Sequence, residues 1–123
     1  MRALQQMIYV ASPYTHRDRQ RMEVRYHAAC DFTARLLNDK MWCYSPIVHC
    51  HELAKQFDLP RDFEFWKEYN IAMLNVCNKL FILGIDGWKE STGVTAELEC
   101  ARSLKIPVTL WGHNGVGYFG EPL

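Results

Sequence analysis

Lys79-Leu80-Phe81-Ile82-Leu83-Gly84 is a short apolar run that stops at a glycine, and it is followed by Ser91-Thr92-Gly93-Val94-Thr95-Ala96-Glu97-Leu98-Glu99-Cys100-Ala101. The first stretch predicts a buried strand and the second a helix over residues 93–105, with Ser91 or Thr92 as its N-cap. Asp86-Gly87, between them, is a turn pair. A strand that leads through a polar loop into a helix is one βα unit, and the chain on either side repeats the alternation.

Upstream, Met7-Ile8-Tyr9-Val10 within residues 6–11 reads as a buried first strand, ended by Ser12-Pro13-Tyr14-Thr15-His16. Residues 20–38 predict a helix, with Met22, Tyr26, Ala29, Thr33, Leu36 and Leu37 at helical spacing and Arg19, Arg21, Arg25 and Arg35 between them. Trp42-Cys43-Tyr44 is a second short strand, stopped by Ser45-Pro46. Residues 47–57 read mostly as helix, broken by Asp58-Leu59-Pro60. Residues 62–76 predict a further helix, with Phe65, Tyr69, Met73 and Val76 along its apolar face. Asp62 and Glu64 suit its N-terminus. Pro107-Val108-Thr109-Leu110-Trp111 is the last strand. Four glycines and Pro122 predict an irregular tail over 111–123.

Strands alternating with helices argue for an α/β fold. The expected form is one domain over 1–123, a small doubly wound, Rossmann- or flavodoxin-like three-layer sandwich. Its sheet would be mainly parallel with four to five strands. Such sheets bind ligands beyond the carboxyl ends of their strands. Those ends carry residues 12–16, 45–51 and 86–93, with Glu97 one turn into the following helix.

The chain has 123 residues, 49% of them apolar and 23% charged, with a formal net charge of zero. That is one ordinary globular core. No basic field argues for nucleic-acid binding and no polybasic run for a membrane surface. No apolar run reaches the roughly 20 residues of a membrane helix. Met1-Arg2-Ala3-Leu4 lacks the shape of a secretory leader, so a cytoplasmic location is expected. Cys30, Cys43, Cys50, Cys77 and Cys100 form no CxxC and read as reduced thiols. His49-Cys50-His51 lacks the second ligand pair of a structural zinc site, so neither metal nor cofactor is expected.

Ile8-Tyr9-Val10-Ala11-Ser12-Pro13-Tyr14 resembles the opening strand and loop of the nucleoside 2-deoxyribosyltransferase superfamily. Ser91-x-Gly93-Val94-x-x-Glu97-Leu98 resembles its catalytic motif in the form found in nucleoside 5′-monophosphate N-glycosidases. The likeness spans roughly residues 7–111. Gly87-Trp88 and the Ser-Pro-Tyr loop are similar to an uncharacterised branch, DUF1937. The resemblance implies a homodimer or higher homo-oligomer that cleaves or transfers an N-glycosidic bond of a small nucleoside or nucleotide. Glu97 would attack C1′, as the carboxylate does in retaining glycosidases. Tyr9 would orient that carboxylate. Ser91, Gly93 and the helix N-terminus would receive a 5′-hydroxyl or 5′-phosphate. Tyr14, Trp66 or Trp88 would stack on the base. Ser12, Pro13, Ser45, His16 and His49 would complete the pocket, and Arg17 and Arg19 are close enough to approach an anion.

Glu97 also reads as a first-turn glutamate complementing a helix dipole, and Ser91 as a plain N-cap. The departure from the family pattern is the general acid. Its aspartate falls on Asn70, and a second on Asn78. An amide cannot protonate a leaving base as a carboxylic acid does. Asp86 is the first candidate to replace it, with His16, His49 and Glu68 as others. Asn70 would then contact the base or ribose. The alternative is a non-catalytic nucleotide-binding protein that sequesters or senses its ligand. A protein-interaction domain is a third reading, with Trp42, Trp66, Trp88 and Trp111 at an interface.

Overall fold

A computed structural model describes residues 6–123. The leader reading of residues 1–4 lies outside the described residues. The element order is β1 (Ile8–Ala11), α1 (Arg19–Asn38), β2 (Cys43–Tyr44), α2 (Pro46–Phe57), α3 (Phe63–Asn75), β3 (Lys79–Leu83), α4 (Thr92–Leu104), β4 (Val108–His113) and β5 (Tyr118–Pro122). The fold is mixed α/β with a five-stranded sheet in the order β2-β1-β3-β4-β5. The β1–β2, β1–β3 and β3–β4 pairs are parallel and β4–β5 is antiparallel. From β1 the chain steps outward to β2, then returns past β1 to β3. The change of direction falls between β1 and β3.

Strand alternation separates two apolar faces. Tyr9, Ala11, Leu80 and Ile82 pack with Leu74, Val94 and Ala101 of α3 and α4. Ile8, Val10, Phe81 and Leu83 pack with Phe32 and Leu36 of α1. Burying each large side chain contributes about 1.5–3 kcal/mol.

Local chemistry sets the helix ends. Asp18 caps α1 by accepting from the Gln20 N–H at 2.9 Å. Ser45 caps α2 by accepting from the Val48 N–H at 3.2 Å, with Pro46 fitting the first turn. Ser91 caps α4 by accepting from the Val94 N–H at 3.2 Å. Asp58 and Lys105 end α2 and α4 in the left-handed conformation, at φ 53° and 59°. Asp62 stands at the N-cap of α3 but makes no side-chain capping bond.

Three sequence expectations are corrected. The tail is not irregular: β4 runs on to His113 and β5 returns beside it. Glycine here makes room for a ring across the strand pair. A Cβ on Gly120 would lie 2.8 Å from Trp111 Cε2, and one on Gly112 would lie 2.8 Å from Phe119 Cζ. Helix α3 buries Asn70 and Leu74, while Phe65, Tyr69 and Val76 are exposed. Its apolar residues are spread around the helix, so their spacing did not fix the inward face. On α1, Phe32 is buried and Leu37 is exposed.

Candidate active site

A cleft of about 720 Å³ opens beyond the carboxyl ends of β1, β2 and β3. Residues Ser12, Tyr14, Thr15 and His16 follow β1, Pro46 and Ile47 follow β2, and Asp86, Gly87 and Glu90 to Gly93 follow β3 into α4. Helix α1 adds Arg21 and Arg25, α2 adds His51, and the start of α3 adds Phe63, Trp66 and Asn70. That size suits a small metabolite.

Glu97 lines this cleft and is only 4% exposed. The Tyr9 hydroxyl, on the inner strand β1, donates a short hydrogen bond to its Oε2. Burial pushes the Glu97 carboxyl up to about 8, and the bond from Tyr9 pulls the other way. Burial, and then the neighbouring Glu97 charge, push Tyr9 far above the ordinary phenol range. Tyr9 is therefore a donor at every accessible pH, and the Glu97 carboxyl gains its charge only in mildly alkaline solution or beside a cation.

Two further polar groups, on residues that line the cleft, have no protein partner among the described residues. Ser12 Oγ and Asn70 Oδ1 are both buried, both belong to lining residues, and neither makes a hydrogen bond. An orphaned buried polar atom costs about 1–3 kcal/mol, so each of the two calls for a partner such as an ordered water or a ligand group. The N-terminus of α4, capped by Ser91, adds a positive dipole end and the first-turn backbone N–H groups of Thr92 and Gly93. Gly93 has the Phe63 ring close against it, 3.2 Å from where a Cβ would stand.

Arg25 holds the rim. Its guanidinium donates to the Tyr14 and Thr15 carbonyls at 3.4 and 3.1 Å, and to the Asp86 carbonyl at 3.4 Å. Gly87, at φ 91°, leaves the space that this guanidinium occupies. Thr15 Oγ1 donates to the Arg61 carbonyl at 2.9 Å, and the Trp66 indole to the Pro60 carbonyl at 2.8 Å.

Of the residues singled out in the sequence, Ser12, Tyr14, His16, Trp66, Asn70, Asp86, Ser91, Gly93 and Glu97 meet at the cleft. Tyr9 reaches it through Glu97. Pro13 is fully buried. Ser45 is spent on the α2 cap, and Trp88 packs into the core beside Leu80 and Val94. Asp86 sits on the rim with its side chain 96% exposed, 3.6 Å from Arg21. His49 is outside: it is exposed, stacks on Tyr69, and bonds its hydroxyl at 3.2 Å. Arg17 and Arg19 are exposed and away from the cleft, where Arg21, Arg25 and Arg61 stand instead. Asn78 accepts from the Met7 N–H at 2.8 Å and braces the entrance to β1. Glu99 is exposed.

His51 and Glu23 were not legible as site residues. His51 is buried between Tyr14 and Glu23, and the three come from different elements. The only local signal was His49, two residues earlier, which points elsewhere because residues two apart on a helix lie on nearly opposite faces, about 200° apart.

Among the described residues no helix is long and apolar enough to cross a membrane. A search among curated proteins gives no match. The family model for a domain of unknown function (DUF1937) matches residues 6–113, which is most of the chain and includes every cleft residue, and the protein belongs to that family.

Proposed function

We propose that this protein cleaves or transfers the N-glycosidic bond of a nucleoside or nucleotide, with Glu97 as the nucleophile at C1′. One observation carries this reading: a buried carboxyl held by Tyr9 at the lining of a ligand-sized cleft. A structural glutamate gains little from such a site, because burial without a cation destabilises its charged form. The Glu97 carboxylate attacks, and the developing oxocarbenium ion supplies the positive charge that its buried site lacks. Asn70 and Ser12 then pair with base or ribose. The α4 N-terminus and the nearby arginines suit a 5′-hydroxyl or 5′-phosphate.

This reading joins the chain to the nucleoside 2-deoxyribosyltransferase superfamily and takes the layering as doubly wound and Rossmann-like. The strand order and the two helix-covered faces of the sheet support it. It also takes residues 1–123 as a single domain, cytoplasmic and homo-oligomeric, acting on a free metabolite.

The second reading is a nucleotide-binding protein without turnover, favoured by the amide of Asn70 in the cleft. Incubation with a panel of nucleosides and nucleoside monophosphates, followed by chromatography for free base, separates the two. Base release by the wild type and none by Glu97→Ala supports the enzyme. Tight binding without release supports the binding protein.

A further inference from the structure

Besides Glu97, the cleft wall carries a second linked set of side chains. His51, on α2, is 3% exposed. Its Nδ1 lies 2.5 Å from the Tyr14 hydroxyl and its Nε2 lies 3.0 Å from Glu23 Oε1 on α1. Tyr26 stacks on the imidazole at 4.0 Å, and Tyr14 meets it edge-on. Lys55 Nζ holds the same Glu23 oxygen at 3.2 Å. Tyr14 and His51 line the cleft; Glu23 stands behind them.

The hydrogen bonds dictate where protons sit. Burial works against the Glu23 charge, but bonds from Lys55 and His51 hold its carboxyl below the usual range, so it only accepts. His51 Nε2 must then carry a proton. In the neutral ring Nδ1 is an acceptor, and the Tyr14 hydroxyl donates to it. In the imidazolium both nitrogens donate. Nδ1–H then points at the Tyr14 oxygen, which frees the phenolic proton to turn toward the cleft that Tyr14 lines.

We propose that Tyr14, backed by His51 and Glu23, supplies the leaving-group proton that Asn70 cannot. The inference rests on the N-glycosidic reading above. In the step, the C1′–N bond breaks and its electron pair goes to the base nitrogen, which takes the Tyr14 proton. The Tyr14 oxygen takes the Nδ1 proton from His51, which becomes neutral. The Glu97 carboxylate forms the new bond to C1′. In the second step water attacks C1′, the bond to Glu97 breaks, and the water proton returns through Tyr14 to His51. Tyr14 is the catalytic residue; His51 and Glu23 act through it.

The test compares two leaving groups in single turnovers. Nucleoside 5′-monophosphates need a proton on the departing base. The 4-nitrophenyl riboside 5′-phosphate does not, since nitrophenolate leaves unaided. Tyr14→Phe and His51→Gln are expected to slow base release by about 100-fold or more while slowing nitrophenolate release by no more than about threefold. Glu23→Gln, which keeps an acceptor for Nε2, should show the same split more weakly, and it stands in if the other variants lose their circular-dichroism signature. Equal losses on both probes would overturn the relay and make Tyr14 a packing residue. Nitrophenolate release by the wild type without any base release would overturn the relay while leaving Glu97 as the nucleophile. Release of neither would overturn both.

Discussion

The Tyr9 hydroxyl on β1 donates to Glu97 Oε2 on α4, joining the middle of the sheet to the floor of the cleft across 88 residues of sequence. The bond satisfies one carboxyl oxygen and fixes the rotamer of the other. It also ties the cleft chemistry to the core, because Tyr9 is fully buried.

Tyr9→Phe should cost about 1–3 kcal/mol, since the buried Glu97 oxygen loses its donor. The same change removes the interaction that lowers the Glu97 pKa, so the carboxyl should titrate at higher pH than in the wild type. Urea unfolding and a pH–rate profile measure the two effects.

Stability should fall as pH rises because of Glu97. Its folded carboxyl is raised to about 8 from an ordinary value of 4.5. The folded state therefore holds a proton that the unfolded state has released, and stability is lost between those two values. Glu97→Gln should remove that slope and gain on the order of a few kcal/mol over the wild type near pH 8. It should also abolish base release. Thermal melts from pH 5 to pH 9, roughly the span of the transition, check it.

The rate on a proton-independent substrate should follow the same ionisation with the opposite consequence. Nitrophenolate release needs Glu97 charged, so it should rise with pH and level off above about 8. A rate that falls over that range would exclude Glu97 as the nucleophile.

Asn70→Asp places a carboxyl where a leaving base would sit. Base release should rise about tenfold or more, and the gain should be largest when the change is made together with Tyr14→Phe. Single-turnover chromatography reads it. An unchanged rate in a folded double variant would show that Asn70 does not face the base.

Gly120→Ala provides a control away from the cleft. Its methyl group would meet the Trp111 ring and Thr109 Cγ2 at 2.8 and 2.9 Å. Overpacking of this kind costs about 1–3 kcal/mol. Neither β4 nor β5 supplies a cleft residue, so base release by the folded protein should not change. Denaturant melts and the chromatographic assay separate the two.

The parts of this structure that sequence made legible are local. Ser91 caps α4, Ser45-Pro46 stops the second strand, and the run at Leu80 is a core strand, because each depends on neighbours a few residues away. The convergence of Ser12 and Glu97 followed from the parallel alternation, whereas Asn70 was placed only by the family resemblance. What sequence hid depends on distant partners. Gly112 and Gly120 looked like breakers until Phe119 and Trp111 lay across from them. Phe65, Tyr69 and Val76 looked like a buried stripe, yet Asn70 and Leu74 turn toward the sheet. His51 looked like half of a histidine pair, and its actual partners, Tyr14 and Glu23, come from two other elements.

Arg25 has a consequence for selection among ligands. One guanidinium ties the loop after β1 to the loop after β3, so the mouth has a built width, like a span held by a single tie rod. A ligand does not have to draw the two lips together, and it loses no affinity in ordering them. Molecules too broad for that gap should therefore bind poorly, and the residue that sets the limit would be on α1, away from the bond-breaking groups.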